Sequence, residues 1–515
     1  MSEGFGEEQP ADTYPGHVSG NASGQVVAGR HNVVINAESS AVSVCTGPLP
    51  APRPRRKPAG RTLPRVGSLF GRDGELRQLD DWIAAGERVQ VFGERGTGKS
   101  AVLRNAAARM ASAGADVVFL AAAGLAVEDV IQRLFQACYD VTGYRPDAGE
   151  LERLMNSIEA LIVIDDFEGS ADDVAGLLRA IPSGGLIFAG TESVLSESAP
   201  SGQGQLLQLQ GLDEQSAHAF LVRELGRELD EQELPAAKEL WRATGGNPGA
   251  LVQAAAAMRV AGPGAISLDA GPEELADALA ASLGSAARTT LKLLFALDGA
   301  PLPADLGRAL IGSHDIQGSL QQLQQARLVE VSAGDYRLSG QLAPVVAAIA
   351  RMTTDASEYA GSMVEWARTA SAAQIAGTAP VLERVLSAAV DQGDHRTARD
   401  LARVAAPALA LALHWGSWDR VLTLGLRAAR ELASAADEAY FEREHDARLQ
   451  ALGDGVVAGA AANGATADAA ADGAQTGAAP ERAPTDAAAD AALAGAAADG
   501  ATATAAADGA ASGAQ

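Results

Sequence analysis

The sequence predicts an α/β fold built on a parallel sheet, followed by a largely helical second half. Short apolar runs alternate with stretches of helical periodicity: Val89-Gln90-Val91-Phe92, Val117-Val118-Phe119-Leu120, Leu161-Ile162-Val163-Ile164 and Leu186-Ile187-Phe188-Ala189. These runs are nearly continuous in apolar character, as strands buried on both faces are, and the helices between them supply the crossovers that parallel pairing needs. After about residue 213 strand-like runs largely cease and helical spacing takes over.

At 515 residues the chain has room for about three domains. Residues 1–45 are polar, Gly-rich and mildly acidic. Residues 46–66 interleave six prolines with Arg53, Arg55, Arg56 and Lys57, which predicts an extended linker. Its basic run reads as a solvated spacer before it reads as a nucleic-acid or lipid contact. The globular region then divides into 67–212, 213–285, 286–350 and 351–452. From 453 to 515 the chain is Ala, Gly, Asp and Thr, with Ala-Ala-Ala-Asp-Gly-Ala recurring at 469, 496 and 505. Such a tail buries too little surface to offset its ordering entropy and is expected to be disordered.

Composition excludes several functions. A net charge of −25 opposes a general affinity for nucleic acid or anionic membranes. No segment reaches the roughly 18 apolar residues of a membrane helix, and Met1-Ser2-Glu3-Gly4 opens no apolar signal region, so a cytoplasmic location is expected. Cys45 and Cys138 have no metal-ligand spacing and read as free thiols.

Gly93-Glu94-Arg95-Gly96-Thr97-Gly98-Lys99-Ser100 follows the first strand and opens a helix at Ala101. This is the G-x-x-x-x-G-K-[ST] pattern in the context it requires. Glycines let the backbone turn its N–H groups inward on phosphates, the helix N-terminus adds partial positive charge, and Lys99 is expected to reach the outer phosphates. Only four of 40 basic residues are lysine, so a lysine here stands against the compositional trend. Leu161-Ile162-Val163-Ile164 delivers Asp165 and Asp166 at a strand's C-terminal edge, where ligands of parallel sheets bind. Asp165 and Ser100 are the expected Mg²⁺ ligands. Asp166 and Lys99 are the expected catalytic residues, Asp166 by orienting or deprotonating water. The expected fold is therefore an α/β P-loop NTPase followed by an all-α helical lid, a winged-helix domain and a helical-repeat-like segment.

On these motifs the chain resembles the STAND class of signalling ATPases, and within it the NB-ARC-type, AAA-like switch modules of bacterial and plant immune-receptor-like proteins. Phe70-Gly71-Arg72-Asp73-Gly74-Glu75-Leu76 resembles that family's GRExEL entry motif, and Thr244-Gly245-Gly246-Asn247-Pro248-Gly249-Ala250-Leu251 resembles its GGNPLAL segment. The resemblance implies that Phe70, Gly71, Arg72 and Pro248 lie near an adenine, and Thr191 near the phosphates. It implies ATP/ADP and Mg²⁺ as ligands, slow hydrolysis, a closed ADP state and an open, self-associating ATP state. The winged-helix-like domain at 286–350 would close over ADP. Its third helix, from Ile316 to Arg327, carries four glutamines after Leu320 and one basic residue, too little to grip DNA.

Two departures qualify the resemblance. Gly190-Thr191-Glu192 stands where the family carries a threonine pair and a sensor arginine, so either Glu192 points away or hydrolysis is impaired. Near Leu338-Ser339-Gly340 the family's histidine and aspartate are missing. Residues 351–452 resemble the helical pairs that lead into tetratricopeptide repeats. The segment 16–45 resembles short amyloid-like signalling motifs that would template an effector protein, with a β-prone stray patch as the alternative. Two other readings stay open: a nucleotide-dependent transcriptional regulator, and a binding-only scaffold with disabled hydrolysis.

Overall fold

The computed structural model describes residues 35–36, 43–44, 52–55, 69–141, 144–181, 185–195, 204–261, 272–312, 315–332, 334–339 and 355–454. The proposed effector motif and the Ala-rich tail lie outside the described residues, apart from Gly453, Asp454 and a short antiparallel pairing of Ile35–Asn36 with Ser43–Val44. Cys45 lies outside them too; Cys138 is free and buried.

Five strands form one parallel sheet: β1 (Arg88–Phe92), β2 (Val117–Ala121), β3 (Leu161–Asp165), β4 (Leu186–Gly190) and β5 (Gln205–Gln208), in the order β2-β3-β4-β1-β5. Helices α1 (Asp73–Ala84), α2 (Lys99–Ser112), α3 (Val127–Cys138), α4 (Ala148–Met155) and α5 (Ala171–Ala180) cover it. Alternate residues of β3 join opposite cores. Leu161 and Val163 pack with Leu79, Val102 and Leu103 of α1 and α2, while Ile162 and Ile164 pack with Val130, Leu134 and Phe135 of α3. That two-sided burial is why the strand reads as an unbroken apolar run. β5 is the edge strand, half exposed along its length.

After β5 the chain forms helices α6 (Glu214–Leu225), α7 (Glu233–Thr244), α8 (Pro248–Ala261) and α9 (Pro272–Ser282). Then come α10 (Ser285–Ala296), strand β6 (Leu302–Pro303), α11 (Ala304–Ile311), α12 (Ile316–Gln325), β7 (Val329–Ser332) and β8 (Asp335–Leu338). The three strands pair antiparallel in the order β6-β8-β7. Among the described residues, a 3-10 turn at Ala356–Tyr359 and the helices α13 (Ala360–Ala367), α14 (Ala372–Gly377), α15 (Ala379–Asp391), α16 (His395–Leu411), α17 (Trp415–Glu431) and α18 (Ala435–Asp454) follow. One continuous apolar cluster runs from Leu212 to Phe441, so these helices and the small sheet share a core. No described helix is long and apolar enough to cross a membrane.

The described part of the proline-rich linker is not a free spacer. Arg53–Pro54 pairs antiparallel with Tyr139–Asp140, and the Arg55 backbone N–H donates to the Cys138 carbonyl at 2.8 Å. The Arg55 side chain donates to the Tyr139 and Gln136 carbonyls and lies 3.3 Å from the Asp140 carboxylate. The last carbonyls of α3 have no partner within their own helix, and an arginine with a proline-extended backbone satisfies them.

Candidate nucleotide site

The loop between β1 and α2 is built from glycines that no other residue could replace in place. Gly93, Gly96 and Gly98 have φ of 147°, 83° and 96°, all in the region side chains disfavour. A Cβ on Gly93 would fall 2.4 Å from the Leu209 carbonyl oxygen, because the end of β5 passes against the loop. Lys99 begins α2 with its ammonium folded back onto the loop, donating to the carbonyls of Gly93 at 2.7 Å and Glu94 at 2.9 Å. Burial lowers the Lys99 pKa, while Asp166, Glu168 and Asp165 oppose the shift.

A second segment braces the loop from behind. Asn247 donates through Nδ2 to the Arg95 carbonyl at 3.0 Å, and Gly249 donates its N–H to the Gly96 carbonyl at 3.0 Å. The Asn247 Oδ1 accepts from the N–H groups of Gly249 and Ala250, capping α8. Arg72 is a strut of the same kind: its guanidinium donates to the carbonyls of Thr97 and Gln210 and to Glu75. Gly71, at φ 59°, sits against Ser216, where a Cβ would meet the hydroxyl at 2.3 Å.

Across the sheet, β3 ends at Asp165, which is fully buried. Its Oδ1 accepts from the Ser100 hydroxyl at 2.9 Å. Its Oδ2 accepts no hydrogen bond and has the Arg104 guanidinium 3.6 Å away. Burial, joined by the Asp166 charge, pushes the Asp165 carboxyl up to about 6 against the pull of Arg104, Arg337 and Ser100. A buried carboxylate oxygen left without a donor beside a phosphate-type loop is suited to a hard divalent cation. Asp166 adopts φ 55°, which ends the strand's alternation of faces. It pairs with Arg337 of β8, 171 positions along the chain.

These groups surround one cavity of about 1060 Å³. Phe70, Arg72, Arg95, Gly96, Thr97, Gly98, Lys99, Ser100, Ala101, Asp166, Thr191 and Pro248 line it. Gly71, Gly93, Glu94 and Asp165 stand behind that lining, where they shape the loop or hold the residues that do face it. At one end Phe70 meets Phe220 edge to face at 5.8 Å, with Arg223 over both rings. From the second half of the chain, Asp298, Arg327, Arg337 and Arg384 also line the cavity. Basic side chains prevail: Arg72, Arg95, Lys99, Arg104, Arg223, Arg327, Arg337 and Arg384 against Asp166, Glu168, Glu224, Asp298 and Glu330. In so acidic a protein that local excess suits an anionic ligand.

Glu192 is exposed and does not line the cavity. Gln90, buried inside β1, fixes that turn by donating to the Glu192 carbonyl at 2.7 Å and accepting from the N–H groups of Val194 and Leu195. The acid beside Thr191 is Glu168, which accepts from the Thr191 hydroxyl at 2.7 Å. Sequence reasoning missed Glu168, Asn247, Arg104 and Arg337. Asn247 carried a usable signal, a capping residue before Pro-Gly, and Arg104 lies one helical turn past Ser100. Nothing local marks Arg337.

The strand that ends in the phosphate-type loop lies one strand removed from the strand that ends in the paired acids, with β4 between them. This is an α/β P-loop arrangement. No family model and no curated protein sequence matches the chain. Among solved structures it is similar to a signal transduction ATPase with numerous domains (STAND) with a tetratricopeptide repeat sensor from Pyrococcus horikoshii, at 15% identity over 75% of this chain and 68% of that one, TM-score 0.41. It is also similar to a Walker-type ATPase of Pyrococcus abyssi, at 18% identity over 57% of this chain and 98% of that one, TM-score 0.32. A third similar structure is RuvB from Thermotoga maritima, at 14% identity over 52% of this chain and 92% of that one, TM-score 0.26.

Proposed function

We propose that this chain binds ATP and ADP with Mg²⁺ in the cavity above β1 and β3, hydrolyses ATP slowly, and uses the bound nucleotide as a conformational switch. The observation that carries the reading is the convergence, inside one basic cavity, of the glycine loop, Lys99, and a Ser100 hydroxyl 2.9 Å from a buried Asp165 whose other oxygen lacks a donor. Ser100 and Asp165 would hold the Mg²⁺, which would screen the phosphate charge. The loop N–H groups and Lys99 would cradle the phosphates, with the ammonium leaving the Gly93 and Glu94 carbonyls to do so. Asp166 would orient water. Phe70 and Pro248 would flank the base.

We read 67–212 as the nucleotide-binding domain, 213–285 as the helical lid, 286–350 as a winged helix and 351–452 as a repeat-like helical region of the NB-ARC type. The cavity walls support the switch: β8 and α15 reach the same space as the glycine loop, so a ligand there touches both halves of the chain. The ATP-bound form would open and self-associate, as a signalling or defence ATPase does. Calorimetry tests the foundation. The wild type is expected to bind Mg-ATP and Mg-ADP, and Lys99→Ala to lose at least ~100-fold in affinity, about 2.7 kcal/mol. Absence of binding heat in the wild type would overturn the reading. Sizing with ADP and with a non-hydrolysable ATP analogue tests assembly, and an unchanged mass would remove it.

A further inference from the structure

Two ion pairs join the two halves of the chain among the described cavity residues, the exposed Arg95–Asp298 contact at 3.8 Å and the more buried Arg337–Asp166. Arg337 sits in β8, in register opposite Glu330 of β7, and the residue is only 9% exposed. Its Nη1 donates to the Asp166 Oδ2. Burial opposes the Arg337 charge, but Asp166, Asp165 and Glu330 outweigh it and raise the guanidinium above its ordinary value. Asp166 holds a left-handed backbone at φ 55°, fixed from behind by the Phe167 N–H donating to the Ala189 carbonyl at 2.7 Å. A non-glycine residue in that region costs roughly 1 kcal/mol or more and persists where its surroundings impose it. The carboxylate that would serve the attacking water is therefore occupied by a cation from the far half of the chain.

We infer that Arg337 is a positioning clasp: paired with Asp166 it both holds the small sheet over the phosphate loop and withdraws that carboxylate from work on water. The inference rests on the reading of this cavity as an ATP site. The contact has the properties of a two-state coupling. The Oδ2 that accepts from the guanidinium is turned to Arg337, so Asp166 can orient water through it only when the pair is broken. Breaking it removes a charged bond between β8 and the end of β3. Seating of the sheet and catalytic readiness are then mutually exclusive, and anything that favours one opposes the other by the same free energy. The incoming nucleotide supplies a rival, because its phosphates offer the same guanidinium a doubly charged partner.

The test uses full-length wild type, Arg337→Ala, Arg337→Lys, Asp166→Asn and the double variant Arg337→Ala/Asp166→Asn. Small-angle scattering of the nucleotide-free proteins reads the clasp without any activity. Arg337→Ala and Asp166→Asn are each expected to enlarge the radius of gyration, and the double variant to match either single one. Arg337→Lys is expected to fall between Arg337→Ala and wild type. ATP turnover is expected to rise three- to tenfold in Arg337→Ala and to vanish in Asp166→Asn. Single variants as compact as wild type would overturn the inference. So would additive expansion in the double variant, or turnover that falls in Arg337→Ala with nucleotide affinity intact, since the arginine would then serve the phosphates. Should Arg337→Ala fail to fold by circular dichroism, Arg337→Lys and Asp166→Asn decide on the same criteria. A wild type that binds no Mg-ATP would sink the functional reading alone, because the scattering comparison still reports whether the pair holds the halves together.

Discussion

Two aspartates of the parallel-sheet half are equally hidden from solvent, each accepts from a serine hydroxyl, and they differ in what else serves them. Asp129 on α3 is 1% exposed and Asp165 on β3 is 0% exposed. Asp129 reaches the start of α17, accepting from the Gly416 N–H at 3.0 Å, the Ser417 N–H at 2.9 Å and the Ser417 hydroxyl at 2.8 Å. A helix N-terminus offers unpaired N–H groups and partial positive charge, so this carboxylate is fully served by protein. The approach is close enough that a Cβ on Gly416 would lie 2.2 Å from the Ala126 Cβ. Asp165 has one protein donor, Ser100, and an oxygen with none. A buried carboxylate completed by the chain holds the fold together; Asp165 keeps an oxygen that no donor serves, and on the proposed function that oxygen faces the cation.

The largest expected effect that tests this contrast is Asp129→Ala. It leaves the two N–H groups and one hydroxyl buried without their acceptor, and it removes a countercharge from Arg145, whose guanidinium lies 4.7 Å over the Trp415 ring and is lowered in pKa by burial. The cost is expected to be about 3 kcal/mol of unfolding free energy. Denaturant unfolding with fixed m-value measures it, and a loss below about 0.5 kcal/mol would mean the contact is not a structural anchor.

Asp165 gives the opposite sign. Burial raises its carboxyl in the folded state to about 6, above the unfolded value of about 4. A group shifted that way contributes stability that is whole below the unfolded value and is lost as pH rises through the folded one. Nucleotide-free protein is therefore expected to lose on the order of 1–3 kcal/mol from this group between pH 4 and pH 7. Asp165→Asn removes that slope, so the variant is expected to be as stable as wild type at pH 3.5 and more stable at pH 7.5. Parallel curves for the two proteins would show that Asp165 is not strained by its missing donor.

The two sites were not equally legible in the sequence. Asp165 and its neighbours could be read because a phosphate loop is a local object: eight consecutive residues carry it, and an unbroken apolar strand leads to the acids. The sheet could be read for the same reason, since each inner strand is buried on both faces and shows it in composition. The edge strand β5 was faint because half of it faces solvent, and β6 was invisible at two residues. Asp129 and its helix cap are 287 and 288 positions apart, and Arg337 is 171 from Asp166. Pairings of that span depend on how finished elements pack and leave no periodic trace. At Glu192 the motif left two alternatives, and the structure takes the first: the residue is exposed and off the cavity wall, its turn fixed by Gln90.

The smallest effects sharpen the contrast most, because they change one hydroxyl on each side. Ser417→Ala removes one of three donors to Asp129, while the two N–H groups stay in place. The loss is expected to be about 1 kcal/mol in stability, with the Mg²⁺ dependence of nucleotide binding untouched. Ser100→Ala removes the one hydrogen bond found on the Asp165 carboxylate among the described residues and, on the proposed function, one ligand of the cation. Its stability cost is expected to be no larger than that of Ser417→Ala, whereas the Mg²⁺ concentration needed for half-maximal nucleotide binding is expected to rise about tenfold, about 1.4 kcal/mol. The two variants thus differ less in how much they change than in which measurement registers it. If both shifted the Mg²⁺ titration alike, the cation requirement would be a general consequence of loosening this half of the chain, and the distinction between the two aspartates would fail.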